Sequence, residues 1–202
     1  MAMSLKERLY RFRSFWIFPL IAAALVYFTS RAEPQSRSSD LLWLFPVGLL
    51  IWTLLEYGLH RFVFHIQIPL RNPRLREFVN ASHLGHHASP RDPNKVLVRP
   101  TYGLVISSVL YGLSYAVFRS LFSAAGVMAG IWTGFLYYEA VHYRVHFSLS
   151  GSGFIARQRR PHFYHHFTNN KRCFGVTSPV WDYVFGTALA SGPRNSRSEN
   201  SS

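Results

Sequence analysis

Four apolar runs constrain the fold of this 202-residue chain more than any other feature. They cover residues 14–30, 41–59, 102–118 and 121–138. Each is close to the roughly 17–25 residues that an α-helix needs to cross the hydrocarbon core of a bilayer. Within lipid, a helix satisfies its own backbone hydrogen bonds, so apolar runs of this length indicate helices. The sequence therefore predicts an all-α membrane protein with four transmembrane helices.

The placement of the basic residues supports four crossings independently of hydropathy. The chain has 22 Lys and Arg against nine Asp and Glu, yet charged residues make up only 15% of it. Four crossings would place 19 of the 22 basic residues on one side of the membrane. This asymmetry is typical of the positive-inside rule and makes the basic side cytoplasmic. We expect the membrane, and no nucleic acid, to explain the net charge of +13; a soluble protein with four buried helices is the alternative.

All ten histidines fall in four short groups at the predicted cytoplasmic ends of the spans. The groups are His60 and His65; His83, His86 and His87; His142 and His146; and His162, His165 and His166. Neutral imidazole binds iron, copper, nickel and zinc rather than calcium or magnesium. Because the chain has one cysteine, thiolate clusters are excluded. The pattern predicts a metal centre built from imidazoles.

The spacing of the histidines suggests how they share metal ions. Positions three and four apart lie on one face of a helix, so both HxxHH triplets and the HxxxH pair present their rings together. His60 and His65 are five apart, which on a regular helix turns their side chains about 140° from one another. Either the helix loosens there or the two rings serve different ions. We expect different ions, since ten ligands are too many for one ion and suit two.

Five segments carry a resemblance to a known family. They are "EYGLHRFVFH", "HLGHHASP", "HYRVH", "HFYHHF" and "FGVTSPVWDYVFGT". From about Ile51 to Thr187 the sequence resembles the fatty acid hydroxylase and sterol desaturase superfamily, and within it the sphingolipid fatty acid 2-hydroxylases and their short bacterial relatives. The resemblance implies that all ten histidines are metal ligands. It also implies a cytoplasmic helical cap that holds two iron ions, with zinc as a substitute in isolated protein, and O2 as co-substrate.

The resemblance implies that one oxygen atom is inserted into the acyl chain of a membrane lipid, a fatty acid or sphingolipid, near its carboxyl or amide end. Hydroxylation or desaturation of a sterol or carotenoid at the same centre is an alternative. A non-catalytic, histidine-rich metal-binding or transport protein is an alternative of another class, although the apolar runs contain few polar groups for an ion path. The fungal and animal ceramide hydroxylases carry a fused cytochrome b5 domain, but only about 13 residues precede the first span here. We therefore expect a separate electron donor of cytochrome b5 or ferredoxin type, with its reductase.

Three acidic residues lie close to the histidines in sequence. Glu56 precedes His60 by four residues, Glu139 precedes His142 by three, and Asp182 lies in the segment "WDYVFGT". Each is expected to accept a proton from the far nitrogen of an imidazole and so to orient that ring. The alternative partners are arginines at the membrane edge: Arg61, Arg144 and Arg160.

The remaining segments complete the predicted organisation. Residues 1–187 are expected to form one integral membrane domain and residues 188–202 a disordered tail, with a basic interfacial helix at 6–13. Gly130 and Gly134 are expected to pack helices together, with the lining of a substrate groove as the alternative. The chain ends without a dilysine signal, which slightly favours a bacterial inner membrane over the endoplasmic reticulum.

Overall fold

The computed structural model describes residues 4–65, 71–74, 83–149 and 151–189, and these residues are helical or irregular, with no strand among them. The predicted disordered tail lies outside this part of the chain from residue 190 onward. The helices are α1 (Leu5–Arg11), α2 (Ser14–Ala32), α3 (Leu41–Gly58), α4 (Leu84–Ala88), α5 (Pro93–Val96), α6 (Pro100–Phe118), α7 (Leu121–Phe147), α8 (Gly153–Phe167) and α9 (Val180–Val184). A 3-10 turn, Ser38–Asp40, precedes α3, and a π-helical turn, Leu59–Phe64, follows it.

Four helical segments are long and apolar enough to cross a membrane, as the sequence predicts. They are Ser14–Ala32, Ser38–Phe64, Pro93–Phe118 and Leu121–Phe147. The fourth helix continues nine residues beyond the predicted end of the span at residue 138, after its apolar run ends. His142 and His146 therefore lie on the same helix as the fourth apolar run.

Helix α7 is the centre of the bundle and packs closely against α3. Gly48 on α3 faces Gly130 on α7, and a Cβ on either glycine would overlap a backbone carbonyl oxygen of the other helix. One turn further along α7, Gly134 lies against the Trp52 side chain. Small residues allow membrane helices to approach this closely. The prediction that Gly130 and Gly134 pack helices is therefore confirmed.

The end of the bundle opposite the histidines is held by one carboxylate. Glu33, just after α2, accepts hydrogen bonds from the Ser120 hydroxyl at 2.6 Å and from the backbone N–H groups of Leu121 at 2.7 Å and Phe122 at 3.2 Å. A negative charge at a helix N-terminus is stabilised by the unpaired N–H groups there. Glu33 thereby fixes the start of α7 to the end of α2.

Candidate metal centre

The structure brings all ten histidines together in two groups of five. Group A contains His60, His65, His83, His87 and His165, and group B contains His86, His142, His146, His162 and His166. Within each group, one ring nitrogen from every histidine lies within 4.8 Å of the others. Histidines from distant parts of the chain thus meet at one end of the bundle.

Each HxxHH triplet contributes to both groups. In the first triplet, His83 and His87 belong to group A and His86 to group B. In the second, His165 belongs to group A, whereas the two outer histidines, four residues apart, belong to group B. The rings of His87 and His166, one from each group, stack at 4.1 Å. Helices α4 and α8 therefore lie between the two groups and supply imidazoles to both.

His60 and His65 share group A, so the expectation that they serve different ions was wrong. The residues from Leu59 to Phe64 form a π-helical turn. In such a turn the backbone hydrogen bonds run from residue i to i+5, which widens the turn and returns the fifth residue to the same side. The two rings lie 5.2 Å apart with an angle of 27° between their planes. The alternative prediction, that the helix loosens between His60 and His65, is therefore confirmed.

The spacing of the ring nitrogens suits a metal ion. With an imidazole-to-metal distance of about 2.1 Å, two ligands at right angles place their nitrogens about 3.0 Å apart. Four Nε2–Nε2 distances are close to that value: His83–His87 2.9 Å, His65–His165 3.0 Å, His146–His162 2.8 Å and His86–His166 3.1 Å. Each group therefore has nitrogens spaced like neighbouring corners of a five- or six-coordinate site.

Buried nitrogens without hydrogen bonds point to the same use. Among the described residues, Nε2 of His60 and both ring nitrogens of His142 are buried and have no hydrogen-bond partner. Buried polar atoms in proteins are almost always paired. A metal ion would satisfy these lone pairs, and a set of imidazoles suits iron, copper, nickel or zinc. The residues present thus fit a pair of transition-metal ions.

The histidines outside the membrane spans are neutral at physiological pH. Burial, joined at both residues by repulsion from neighbouring imidazoles, lowers the pKa of His65 to about 4 and that of His87 to about 3. Burial lowers the pKa of His165 to about 4. Because metal binding requires a neutral imidazole, these rings need lose no proton to bind a metal near pH 7.

Two backbone carbonyls orient the rings of group A. Nδ1 of His60 donates a hydrogen bond to the Phe174 carbonyl oxygen at 2.5 Å, and Nδ1 of His165 donates to the Arg172 carbonyl oxygen at 2.7 Å. A carbonyl only accepts, so the proton lies on Nδ1 and the Nε2 lone pair is free for group A. Residues 172–177, called here the 172–177 loop, therefore set the tautomer of two imidazoles.

Glu56 holds this loop and forms no hydrogen bond with His60, contrary to the predicted direct bond. One carboxylate oxygen of Glu56 accepts the backbone N–H groups of Val176 at 2.7 Å and Thr177 at 2.8 Å. The other accepts the Thr177 hydroxyl. Glu56 acts on His60 one step removed, because it fixes the loop whose carbonyl orients that ring.

Asp182 holds the other side of the loop, and it too lacks the predicted bond to an imidazole. Its two oxygens accept the N–H groups of Phe174 at 2.9 Å and Gly175 at 2.8 Å, and one also accepts the Thr187 hydroxyl at 2.7 Å. The peptide unit between Phe174 and Gly175 thus connects the carboxylate to His60, because its N–H donates to Asp182 and its carbonyl accepts from His60. The sequence could not predict that a backbone carbonyl orients His60, because every residue has a carbonyl.

Glu139 also differs from its predicted role. One of its oxygens accepts the backbone N–H of Val98 at 3.1 Å, and the other is buried without a hydrogen-bond partner. Glu139 therefore ties α7 to the segment before α6 rather than bonding to His142. The arginine alternative is not seen either, because Arg61 donates to the Tyr57 hydroxyl at 2.7 Å and none of the three acids forms an ion pair within the described ranges.

A narrow apolar cavity extends from group A into the membrane bundle. Its walls come from α2, α3, α6 and α7 and include the rings Phe18, Trp52, Trp132, Phe135 and Tyr138. His60 is the histidine among its lining residues. The Trp132 indole donates to the Ser107 hydroxyl at 2.7 Å, so this polar pair in the wall is satisfied. The aromatic residues Trp132, Phe135 and Tyr138 of α7 line this cavity, while Gly130 and Gly134 pack against α3, and its use as a substrate groove stays a prediction.

Replacing Asp182 with asparagine is expected to weaken group A selectively. The amide keeps one acceptor oxygen and turns an NH2 group toward backbone N–H donors, which leaves buried groups unpaired and lowers the free energy of unfolding by about 2–4 kcal/mol. As the Phe174 carbonyl shifts from His60, metal affinity falls by about 10–100-fold for one of two ions. Chelator titration of the purified protein, followed by metal analysis, measures this change.

The matched control for Asp182→Asn is Glu7→Gln, which changes an exposed carboxylate on α1. Its chelator titration is expected to follow that of the unchanged protein. Equal loss of both ions in Asp182→Asn, or no loss at all, would contradict a role confined to the loop beside group A.

Comparison with known proteins follows the same part of the chain. A model of the family described as Fatty acid hydroxylase matches residues 45–187, which include all ten histidines. The ceramide very long chain fatty acid hydroxylase SCS7 of Saccharomyces cerevisiae is 32% identical over 178 residues, covering 87% of this chain and 46% of the relative. The fatty acid 2-hydroxylase of Rattus norvegicus is 34% identical, with 75% and 41% covered. The dihydroceramide fatty acyl 2-hydroxylase FAH2 of Arabidopsis thaliana is 33% identical, with 69% and 58% covered.

A solved structure has the same architecture. It is described as full-length scs7p with only the hydroxylase domain visible, and it matches with a TM-score of 0.73 and 33% sequence identity, covering 87% of this chain and 66% of that chain. The present chain spans about half the length, or less, of the curated yeast and rat relatives. Because the family model covers most of the sequence and the structural match covers the same bundle, the chain belongs to the fatty acid hydroxylase family.

Proposed function

We propose that this chain is a membrane-bound, oxygen-dependent hydroxylase that inserts one oxygen atom into a lipid acyl chain. The observation that supports this proposal most directly is that His60 of the five-histidine group A lines an apolar cavity inside the membrane bundle. The names of the relatives, which act on fatty acids or ceramide, favour a fatty acid or sphingolipid hydroxylated near its carboxyl or amide end. In this reaction one atom of O2 enters a C–H bond and the other leaves as water, with two electrons from a donor and two protons from solvent.

The ten histidines would hold two iron ions, five ligands to each, and zinc could occupy the same ligands in isolated protein. When bound, iron supplies the activation of O2 that cleavage of an unactivated C–H bond requires. The chain's own part is to keep the imidazoles neutral, to direct Nε2 of His60 and His165 into group A, and to hold these rings still. We assign Glu56 and Asp182 to this last task through the 172–177 loop, and Glu139 through the segment before α6.

The cavity would bind the acyl chain and keep water from the reacting carbon. Its lining is almost entirely apolar, so an acyl chain arriving from the bilayer would exchange contacts with lipid for van der Waals contacts with these side chains. A lipid entering sideways from the bilayer would place its chain among Phe18, Trp132 and Phe135 and its polar end near His60. This placement would bring the carbons next to the carboxyl or amide group closest to group A.

The histidine end of the bundle is proposed to face the cytoplasm. The asymmetry of basic residues supports this orientation, because the side that carries the histidines also carries 19 of the 22 Lys and Arg. A cytoplasmic metal centre would receive electrons from a donor of cytochrome b5 or ferredoxin type with its reductase. The bacterial inner membrane stays a prediction, and the relatives named above are eukaryotic.

The test is lipid analysis of membranes that contain the protein and a reductase system under ¹⁸O₂. We expect an acyl lipid with one added oxygen that carries the heavy isotope, and no such product without oxygen or without the protein. A product that has lost two hydrogens would identify a desaturase, and an oxidised sterol or carotenoid would identify a different substrate class. Metal uptake by sealed vesicles without any oxidised lipid would contradict an enzyme altogether.

A further inference from the structure

We propose that residues 179–186, called here the α9 segment, insert into the bilayer and contact lipid acyl chains beside α3. This segment follows the 172–177 loop and contains the short helix Val180–Val184. The proposal concerns the surface of the protein and adds to the proposed function without depending on it.

The depth of the α9 segment is fixed by a hydrogen bond to a membrane helix. The Trp181 indole N–H donates to the Thr53 hydroxyl at 3.1 Å. Thr53 lies seven residues before His60, or about 10 Å further from the histidines along the helix axis. It also lies well inside the 27-residue segment Ser38–Phe64, which at about 40 Å is longer than the roughly 30 Å hydrocarbon core. Trp181 therefore reaches the level of lipid chains.

The outward face of the α9 segment is apolar. Val180, Tyr183, Val184 and Phe185 are 56%, 71%, 63% and 49% exposed. The one charged residue of the segment, Asp182, is buried against the loop. In water such a patch of large apolar side chains would be costly, and patches of this kind mark contact with a protein or a membrane.

The surface of α3 beside the α9 segment favours contact with lipid over contact with a protein. On α3, the helix that the segment packs against, Leu50 and Leu54 are 69% and 45% exposed, as expected for a lipid-facing side of a membrane span. The face of the α9 segment continues this surface at the depth of Thr53. A water-soluble partner would have to enter the bilayer to reach the segment.

Two further contacts pin the segment to α3. The rings of Tyr57 and Phe185 stack at 5.1 Å with 17° between their planes, and the Tyr57 hydroxyl hydrogen bonds with Thr187 at 3.0 Å. Arg61, one turn nearer to the histidines, donates to the same Tyr57 hydroxyl. A guanidinium placed just above an apolar surface is typical of the boundary between lipid and water. Arg61 therefore marks the boundary between lipid and water, and the contacts made by Tyr57 and Trp181 lie progressively deeper in the hydrocarbon core.

The insertion connects the bilayer to group A. Asp182 lies within the α9 segment and holds the N–H groups of Phe174 and Gly175. The Phe174 carbonyl in turn orients His60. Lipid contacts that fix the α9 segment therefore also stabilise one wall of the candidate metal centre.

The test is a depth measurement in lipid nanodiscs with a nitroxide attached at Val184→Cys. The native Cys173 is buried, and burial raises its pKa to about 11, so it stays unlabelled in folded protein, as labelling of the unchanged chain verifies. Collision with oxygen reports lipid, and collision with a chromium oxalate complex reports water. Leu50→Cys serves as the lipid-facing control, and Asn170→Cys, in an exposed loop, serves as the aqueous control.

We expect the ratio of oxygen to chromium collisions at Val184 to match that at Leu50 and to be several-fold above that at Asn170. A ratio equal to that at Asn170 would overturn the proposal in favour of a water-exposed face. Low collision rates with both reagents would overturn it in favour of a protein partner. Tyr183→Cys, at the most exposed position of the segment, repeats the measurement if the first variant fails to fold. None of these results depends on catalysis, so they are separate from the test of the proposed function.

Discussion

Alanine at His65 or at His146 is expected to reduce lipid hydroxylation to background and to remove about one of two bound metal ions. His65 belongs to group A and His146 to group B, so each variant damages one site and leaves five imidazoles at the other. Both side chains are only partly buried, which limits the cost of these substitutions to folding. Changing groups that merely support metal ligands costs about 10–100-fold, so loss of a ligand is expected to cost at least 100-fold. Product analysis and elemental analysis of the same preparation measure both effects.

Tyr164→Phe is the matched control for the histidine variants. It changes a partly buried side chain on α8, next to His165, and removes no ring nitrogen. Full metal content and activity are expected for it. Alanine variants that keep both ions and the full yield of product would show that the two histidine groups are not the metal centre.

Gly130→Leu is expected to prevent correct assembly of the bundle. A side chain at this position would overlap the carbonyl oxygen of Phe45 and the backbone of Gly48, neither of which is a flexible group that can move aside. Overpacking of a core typically costs about 1–3 kcal/mol, and a clash between two backbones is expected to lie at or above the upper end of this range. The measurements are the yield of monodisperse protein in detergent and its thermal unfolding.

Gly112→Leu provides the comparison on another membrane helix. A Cβ on Gly112 meets no atom within 4 Å, so the added side chain is expected to extend into lipid and leave yield and unfolding temperature unchanged. Equal behaviour of the two leucine variants would mean that the contact between α3 and α7 is not close in the folded protein.

The membrane architecture and the gathering of the histidines could be predicted because both leave direct marks in the sequence. Hydropathy over some twenty residues reports the environment of a whole helix, and the spacing of HxxHH reports which side chains share a face. The charge asymmetry gave an independent reason to place all four histidine groups on one side. These features depend on side chains, which the sequence states.

What could not be predicted depends on the backbone. The π-helical turn that brings His60 and His65 together has no residue signature in "LHRFVF" and contradicts the regular helix assumed from spacing. The division of each HxxHH triplet between two groups depends on the positions of α4 and α8 in space. Glu56 and Asp182 were identified as important residues, but their partners are peptide groups of the 172–177 loop, which any sequence could supply.

The close contact of Gly48 and Gly130 fixes the point at which α3 and α7 cross. From this point α3 and α7 run in the same direction. Twelve residues later, α3 with its π-helical turn reaches His60 of group A, and α7 reaches His142 of group B. Twelve residues of helix measure about 18 Å. Each degree of change in the angle between the two helices therefore alters the separation of His60 and His142 by about 0.3 Å. A change in the crossing angle at Gly48 and Gly130 therefore changes the separation of group A from group B, although the crossing lies far from every histidine.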